Sequence, residues 1–144
     1  MSYLVDTNVL SELRRPRPNP AVRDWFAQRP AATLFLSVLT LGEIRKGVQG
    51  VADARRRQAL SDWLEADLPG FFTGRVLAVD ATVADRWGRL VAEAGRPLPA
   101  IDSLLAATAA VHGLVLVTRN LRDFAGLPVQ VFSPWVDGQR APPL

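Results

Sequence analysis

The 144-residue chain contains no cysteine. That absence removes disulfides, thiol nucleophiles and thiolate zinc sites together. Histidine occurs once, as His112, and lysine once, as Lys46. His112 falls at a helix end just before Gly113, where its charge complements the dipole, so it is a poor general base. A phosphoacceptor receiver domain needs a lysine near the end of its last strand. Lys46 instead accompanies Glu43 on an early helix, and that class is excluded. Neither G-x-G-x-x-G nor a G-K-[ST] phosphate loop occurs, which counts against nucleotide-binding modules. No apolar run is long enough to span a bilayer. Met1-Ser2-Tyr3 enters apolar sequence without a basic n-region or a cleavage site. The expectation is a cytoplasmic protein with no membrane partner.

The hydrophobic fraction of 49% suits one ordinary globular core. A chain this size buries roughly two-thirds of its unfolded surface and needs no staple. Net charge is +3, and every basic residue except Lys46 is arginine. Guanidinium forks suit phosphates and base edges better than an ammonium does. Arginine excess also follows from GC-rich coding, so the charge is compatible with nucleic acid and no more.

Apolar runs alternate with helical periodicity along the chain. Strands are expected over 3–5, 33–36, 75–79, 114–117 and 129–132. Helices are expected over 7–13, 21–28, from Ser37 or Thr40 to about Gly50, and over 52–67, 81–94 and 101–111. Pro69-Gly70 is expected to end the fourth of these, and Gly113 to cap the last. Such alternation predicts a three-layer α/β/α fold around a parallel sheet. The domain is expected to span 1–132, followed by a proline-rich tail, 133–144, anchored by Trp135. Trp25, Trp63 and Trp87 read as core or interface anchors. Arg55-Arg56-Arg57 reads as a solvated helix face, with RNA contact as a lesser alternative.

Asp6, Glu43, Asp102 and Asp123 each sit where a strand hands over to a helix. Singly, each has a structural explanation. Asp6 is a natural N-cap, and Thr40-x-x-Glu43 fits a capping box. Asp102 suits the first turn of its helix, and Asp123 suits a turn. Together they converge, because ligand crevices of open α/β sheets lie outside the carboxyl ends of the strands. Two carboxylates at 4 Å repel by about 4 kcal/mol at an effective dielectric near 20. Mg²⁺ or Mn²⁺ relieves such crowding, which points to a metal-dependent phosphodiesterase. Thr7, Asn8, Thr118 and Asn120 add short polar groups at the same edge. Asp80 follows the third strand in the same way and is not ranked below the others by this reasoning.

Four blocks in order resemble the PIN-domain nucleases, especially the VapC/FitB-like toxins of toxin–antitoxin modules. They are Leu4-Val5-Asp6-Thr7-Asn8-Val9-Leu10, Ser37-Val38-Leu39-Thr40-Leu41-Gly42-Glu43-Ile44, Ile101-Asp102-Ser103-Leu104-Leu105-Ala106-Ala107-Thr108-Ala109 and Leu116-Val117-Thr118-Arg119-Asn120-Leu121-Arg122-Asp123-Phe124. Ser133-Pro134-Trp135 also resembles the FitB-like branch. The resemblance implies metal ligation by Asp6, Glu43, Asp102 and Asp123, positioning by Thr118, support from Asn120, and no role for Asp80. It further implies a Mg²⁺- or Mn²⁺-dependent endoribonuclease leaving 5′-phosphates, a homodimer, an RNA substrate and a cognate VapB/FitA-like antitoxin. The alternative is a non-catalytic PIN-fold module that binds RNA or protein.

Overall fold

The computed structural model describes residues 1–135. Its strands are β1 (Tyr3–Val5), β2 (Leu34–Ser37), β3 (Val76–Leu77), β4 (Val115–Val117) and β5 (Val131–Phe132). All pair in parallel, in the order β3-β2-β1-β4-β5. The chain therefore winds outward from β1 through β2 to β3, then returns to lay β4 against the other side of β1. Between β1 and β4 lies the switch point where such sheets open a crevice.

Successive side chains on a strand face opposite ways, and this divides the core in two. Val5, Leu34, Leu36 and Val117 join one cluster with Val9, Val22 and Ile44. These helical residues come from α1 (Thr7–Leu13), α2 (Pro20–Ala27) and α3 (Val38–Gln49). Leu4 and Leu116 face the other way, against Leu90, Leu105, Ala106 and Ala109. Helices α6 (Ala81–Ala94) and α7 (Ala100–His112) supply that layer. Small residues on α7 let its backbone settle close to the sheet. Gly113, at φ +65°, ends it in the left-handed conformation that a side chain would resist. The three-layer α/β/α expectation holds.

The fourth helix departs from expectation. Helix α4 (Ala54–Asp62) does not stop at Pro69-Gly70 but continues through a π turn, Trp63–Asp67, into α5 (Leu68–Phe71). Proline inside an α-helix loses a bond to the fourth preceding carbonyl and crowds it. A wide turn immediately before it shifts that register. Burial of Leu64, Leu68 and Phe72 in the first cluster holds the continuation in place. Strands β3 and β5 are shorter than read from sequence, at two residues each. Trp135 is buried in the first cluster, as expected of an anchor, and residues 136–144 of the tail lie outside the described residues.

Candidate active site

Asp6 follows β1 directly and caps α1, its Oδ1 accepting the Thr7 N–H at 2.7 Å. Its Oδ2 accepts from Thr118 Oγ1 at 2.7 Å and from Asn8 Nδ2 at 3.3 Å. Thr118 leaves the neighbouring strand β4, so one carboxylate ties both sides of the switch point together. The Thr118 hydroxyl also accepts from Asn8 Nδ2 at 3.2 Å and from the Asn120 N–H at 3.1 Å. Asn8 Oδ1 in turn accepts the Arg119 N–H at 3.3 Å. Every member of this network holds another, which fixes the Asp6 carboxylate in one orientation.

Glu43 is not a capping-box residue. Ser37 caps α3, its Oγ accepting the Leu39 N–H at 3.0 Å. Thr40 lies inside the helix, fully buried, and its hydroxyl has no partner among the described residues. Thr7 Oγ1 instead donates to Glu43 Oε1 at 2.5 Å, carrying α3's acid toward β1. Asp80 is settled as a cap, its Oδ1 accepting the Val83 N–H at 2.9 Å on α6. The cavity at the carboxyl edge measures about 360 Å³, and Asp6, Glu43, Asp102 and Asn120 all line it.

Electrostatics records the crowding. Asp6 is only 5% exposed. Burial, with the Asp102 and Glu43 charges adding to it, raises its pKa to about 6 against the bonds from Thr118 and Thr7. Asp102 is also raised, first by burial, then by the charges of Asp123 and Glu43. Asp6, Glu43 and Asp102 thus feel one another's charge, and Asp102 also feels that of Asp123. Asp123 stands on the short 3₁₀ turn Leu121–Phe124 and does not line the cavity itself.

Residues 3–128 match the PIN domain. The chain belongs to the PIN-domain family. Toxin FitB of Neisseria gonorrhoeae is 36% identical to this PIN domain over 137 residues, covering 93% of the chain and 99% of FitB. VapC ribonuclease Y4jK of Sinorhizobium fredii is 33% identical over 135 residues, covering 92% and 96%. Among solved structures, a chain of FitAcB from Neisseria gonorrhoeae superposes with a TM-score of 0.86 at 34% identity. It covers 92% of this chain and 98% of its own.

This PIN domain offers a divalent ion an all-oxygen donor set of carboxylates and hydroxyls, which suits Mg²⁺ or Mn²⁺ rather than a softer metal. Among the described residues, no three acids close around one point as a ready-made cage. Mg²⁺ fits that arrangement, since it takes one or two carboxylates and completes its shell with water and substrate phosphate.

Sequence reading missed Ser11, Glu12 and Arg15, which line the same cavity. Glu12 is 4% exposed and accepts the Asn19 N–H at 2.9 Å. One local signal could have found it: an acid on the apolar face of α1, beside Val9 and Leu10, is an anomaly that asks for a buried partner.

Proposed function

We propose that this PIN domain is a Mg²⁺- or Mn²⁺-dependent endoribonuclease, the toxin of a toxin–antitoxin pair, acting as a homodimer and inhibited by a VapB/FitA-like antitoxin. One observation carries the reading: a buried, rigidly oriented Asp6 carboxylate at the β1/β4 switch point, raised in pKa by burial and by Asp102 and Glu43. Two relatives support the activity by their names, one a toxin and the other a ribonuclease.

Asp6, Glu43 and Asp102 would hold the ion between them, one or two directly and the rest through its water shell, with Asp123 acting on it through its charge at Asp102. When bound, the ion would supply positive charge against the negative charge building on the phosphoryl oxygens and would make water acidic enough to attack at neutral pH. The chain's own contribution is orientation. Thr118 and Asn8 fix Asp6, Thr7 draws Glu43 inward, and Asn120 backs Thr118. In-line attack leaves a 5′-phosphate and a 3′-hydroxyl.

Incubating structured cellular RNA with the purified protein and Mg²⁺ or Mn²⁺ tests this. Asp6→Asn is expected to cut at least about 100-fold more slowly, since metal-supplied charge stabilisation is worth several kcal/mol. Metal-dependent ends bearing 5′-phosphate identify the chemistry. Equal silence of both proteins with both metals would favour the non-catalytic module.

A further inference from the structure

The cavity that holds the acids has one cation on its wall among the described residues, Arg15. Its position is set from beneath. Glu12 receives the Asn19 N–H on Oε2 and lies 3.4 Å from Arg15 Nη1 through Oε1. One buried carboxylate therefore staples the Arg14–Asn19 loop and tethers the guanidinium at the mouth of the pocket. The tether is loose. Arg15 remains 52% exposed, and a 3.4 Å contact through a single Nη leaves most of its donors facing outward.

Arg15 also lines a second cavity of about 230 Å³, which shares Thr7, Ser11 and Glu43 with the first. Two more arginines, Arg14 and Arg56, stand along this adjoining groove, and the Arg14 guanidinium lies 5.0 Å from the Trp63 ring centre. Among the described residues, every cation lining the two cavities thus borders adjoining space, which meets the acid pocket past Thr7, Ser11 and Glu43. A phosphodiester nearing four carboxylates meets repulsion, and an exposed guanidinium at the rim offsets it with a forked, charge-assisted contact.

We propose that Arg15 binds a backbone phosphate of the RNA strand at the mouth of the acid pocket, held there by Glu12, so that the strand continues along the Arg14–Arg56 groove. This rests on the ribonuclease reading above and adds the route of the substrate and the residue that grips it.

Binding measured without cleavage tests it. A fluorescent 20-nucleotide single-stranded RNA of mixed sequence is titrated in EDTA, from low to moderate salt, against wild type, Arg15→Gln, Arg15→Lys and Arg89→Gln. Arg89, exposed on α6 and paired with Asp85, controls for loss of one positive charge. Arg15→Gln is expected to bind about five- to tenfold more weakly and to flatten the log–log salt slope by about 0.7, one single-strand phosphate contact. Arg15→Lys keeps the slope and recovers only part of the affinity, since a point charge replaces a fork. Arg89→Gln matches wild type. Matching melting curves for all four proteins exclude misfolding.

Equal affinity and slope for wild type and Arg15→Gln overturns the proposal, and so does an equal loss in Arg89→Gln. A wild type that neither binds RNA in EDTA nor cuts it with Mg²⁺ or Mn²⁺ removes the proposal together with the ribonuclease reading. A wild type that binds and cuts RNA, indifferent to Arg15, removes the proposal alone.

Discussion

Asp6 carries a free-energy cost that pH can tune. Its carboxyl ionises near 3.8 when exposed and near 6 in the folded chain. Between those values the folded state holds a proton that the unfolded state has released, so stability falls as pH rises through the window. Urea unfolding in EDTA is expected to show wild type less stable near pH 7 than near pH 4.5 by on the order of 2 kcal/mol, with most of that difference absent in Asp6→Asn. The same proton competes with a divalent ion, so Mg²⁺ affinity should weaken as pH drops below about 6. Thr118 acts on this balance directly, because its hydrogen bond favours the ionised carboxylate. Thr118→Val strands two donors and should cost about 1–3 kcal/mol, and it should move the onset of Mg²⁺ binding to higher pH. An unchanged onset would mean that Thr118 is packing rather than positioning.

Helix α3 shows where local sequence rules misplace an acid. Thr40-x-x-Glu43 satisfies the capping-box pattern, yet Ser37 holds the cap and the helix begins three residues earlier. Two substitutions read this out in chemical denaturation. Ser37→Ala should cost about 1 kcal/mol. Thr40→Val should be neutral or stabilising, because it replaces a buried hydroxyl that has no partner with an isosteric methyl. A capping box would give the opposite order. The strands, the major helices and the positions of Asp6, Glu43 and Asp102 were legible because each rests on period, cap or strand end within a few residues. The Thr7–Glu43 bond was not legible, since it joins positions 36 apart and no local pattern encodes it. Glu12 and Arg15 escaped for a related reason, as their cavity exists only once the loop to Asn19 has folded back. Pro69 misled because a π turn, rare and without a reliable signature, absorbed the missing bond.

At the scale of the whole molecule, two apolar clusters hold a sheet whose carboxyl edge carries mutually repelling charge. Removing one charge from that cluster should relax the fold. Asp102→Asn is expected to melt at higher temperature than wild type in EDTA at neutral pH, because burial, Asp123 and Glu43 all oppose its ionisation. Saturating Mg²⁺ should reverse that order by stabilising wild type alone, by several degrees at about 100-fold excess over Kd. A lower melting point for the variant in EDTA would make Asp102 a helix-stabilising residue instead. The hydrogen bond between Thr118 and Asp6 spans 112 positions, and this has a bearing on how the cell makes the protein. At about 5–20 residues per second, a ribosome spends roughly 6–20 s between synthesising the two partners. During that interval β4 has not arrived to sit beside β1, and the nascent chain holds acids without a pocket. On the ribonuclease reading proposed above, the chain has no complete pocket to turn on the ribosome and messenger producing it until β4 has emerged.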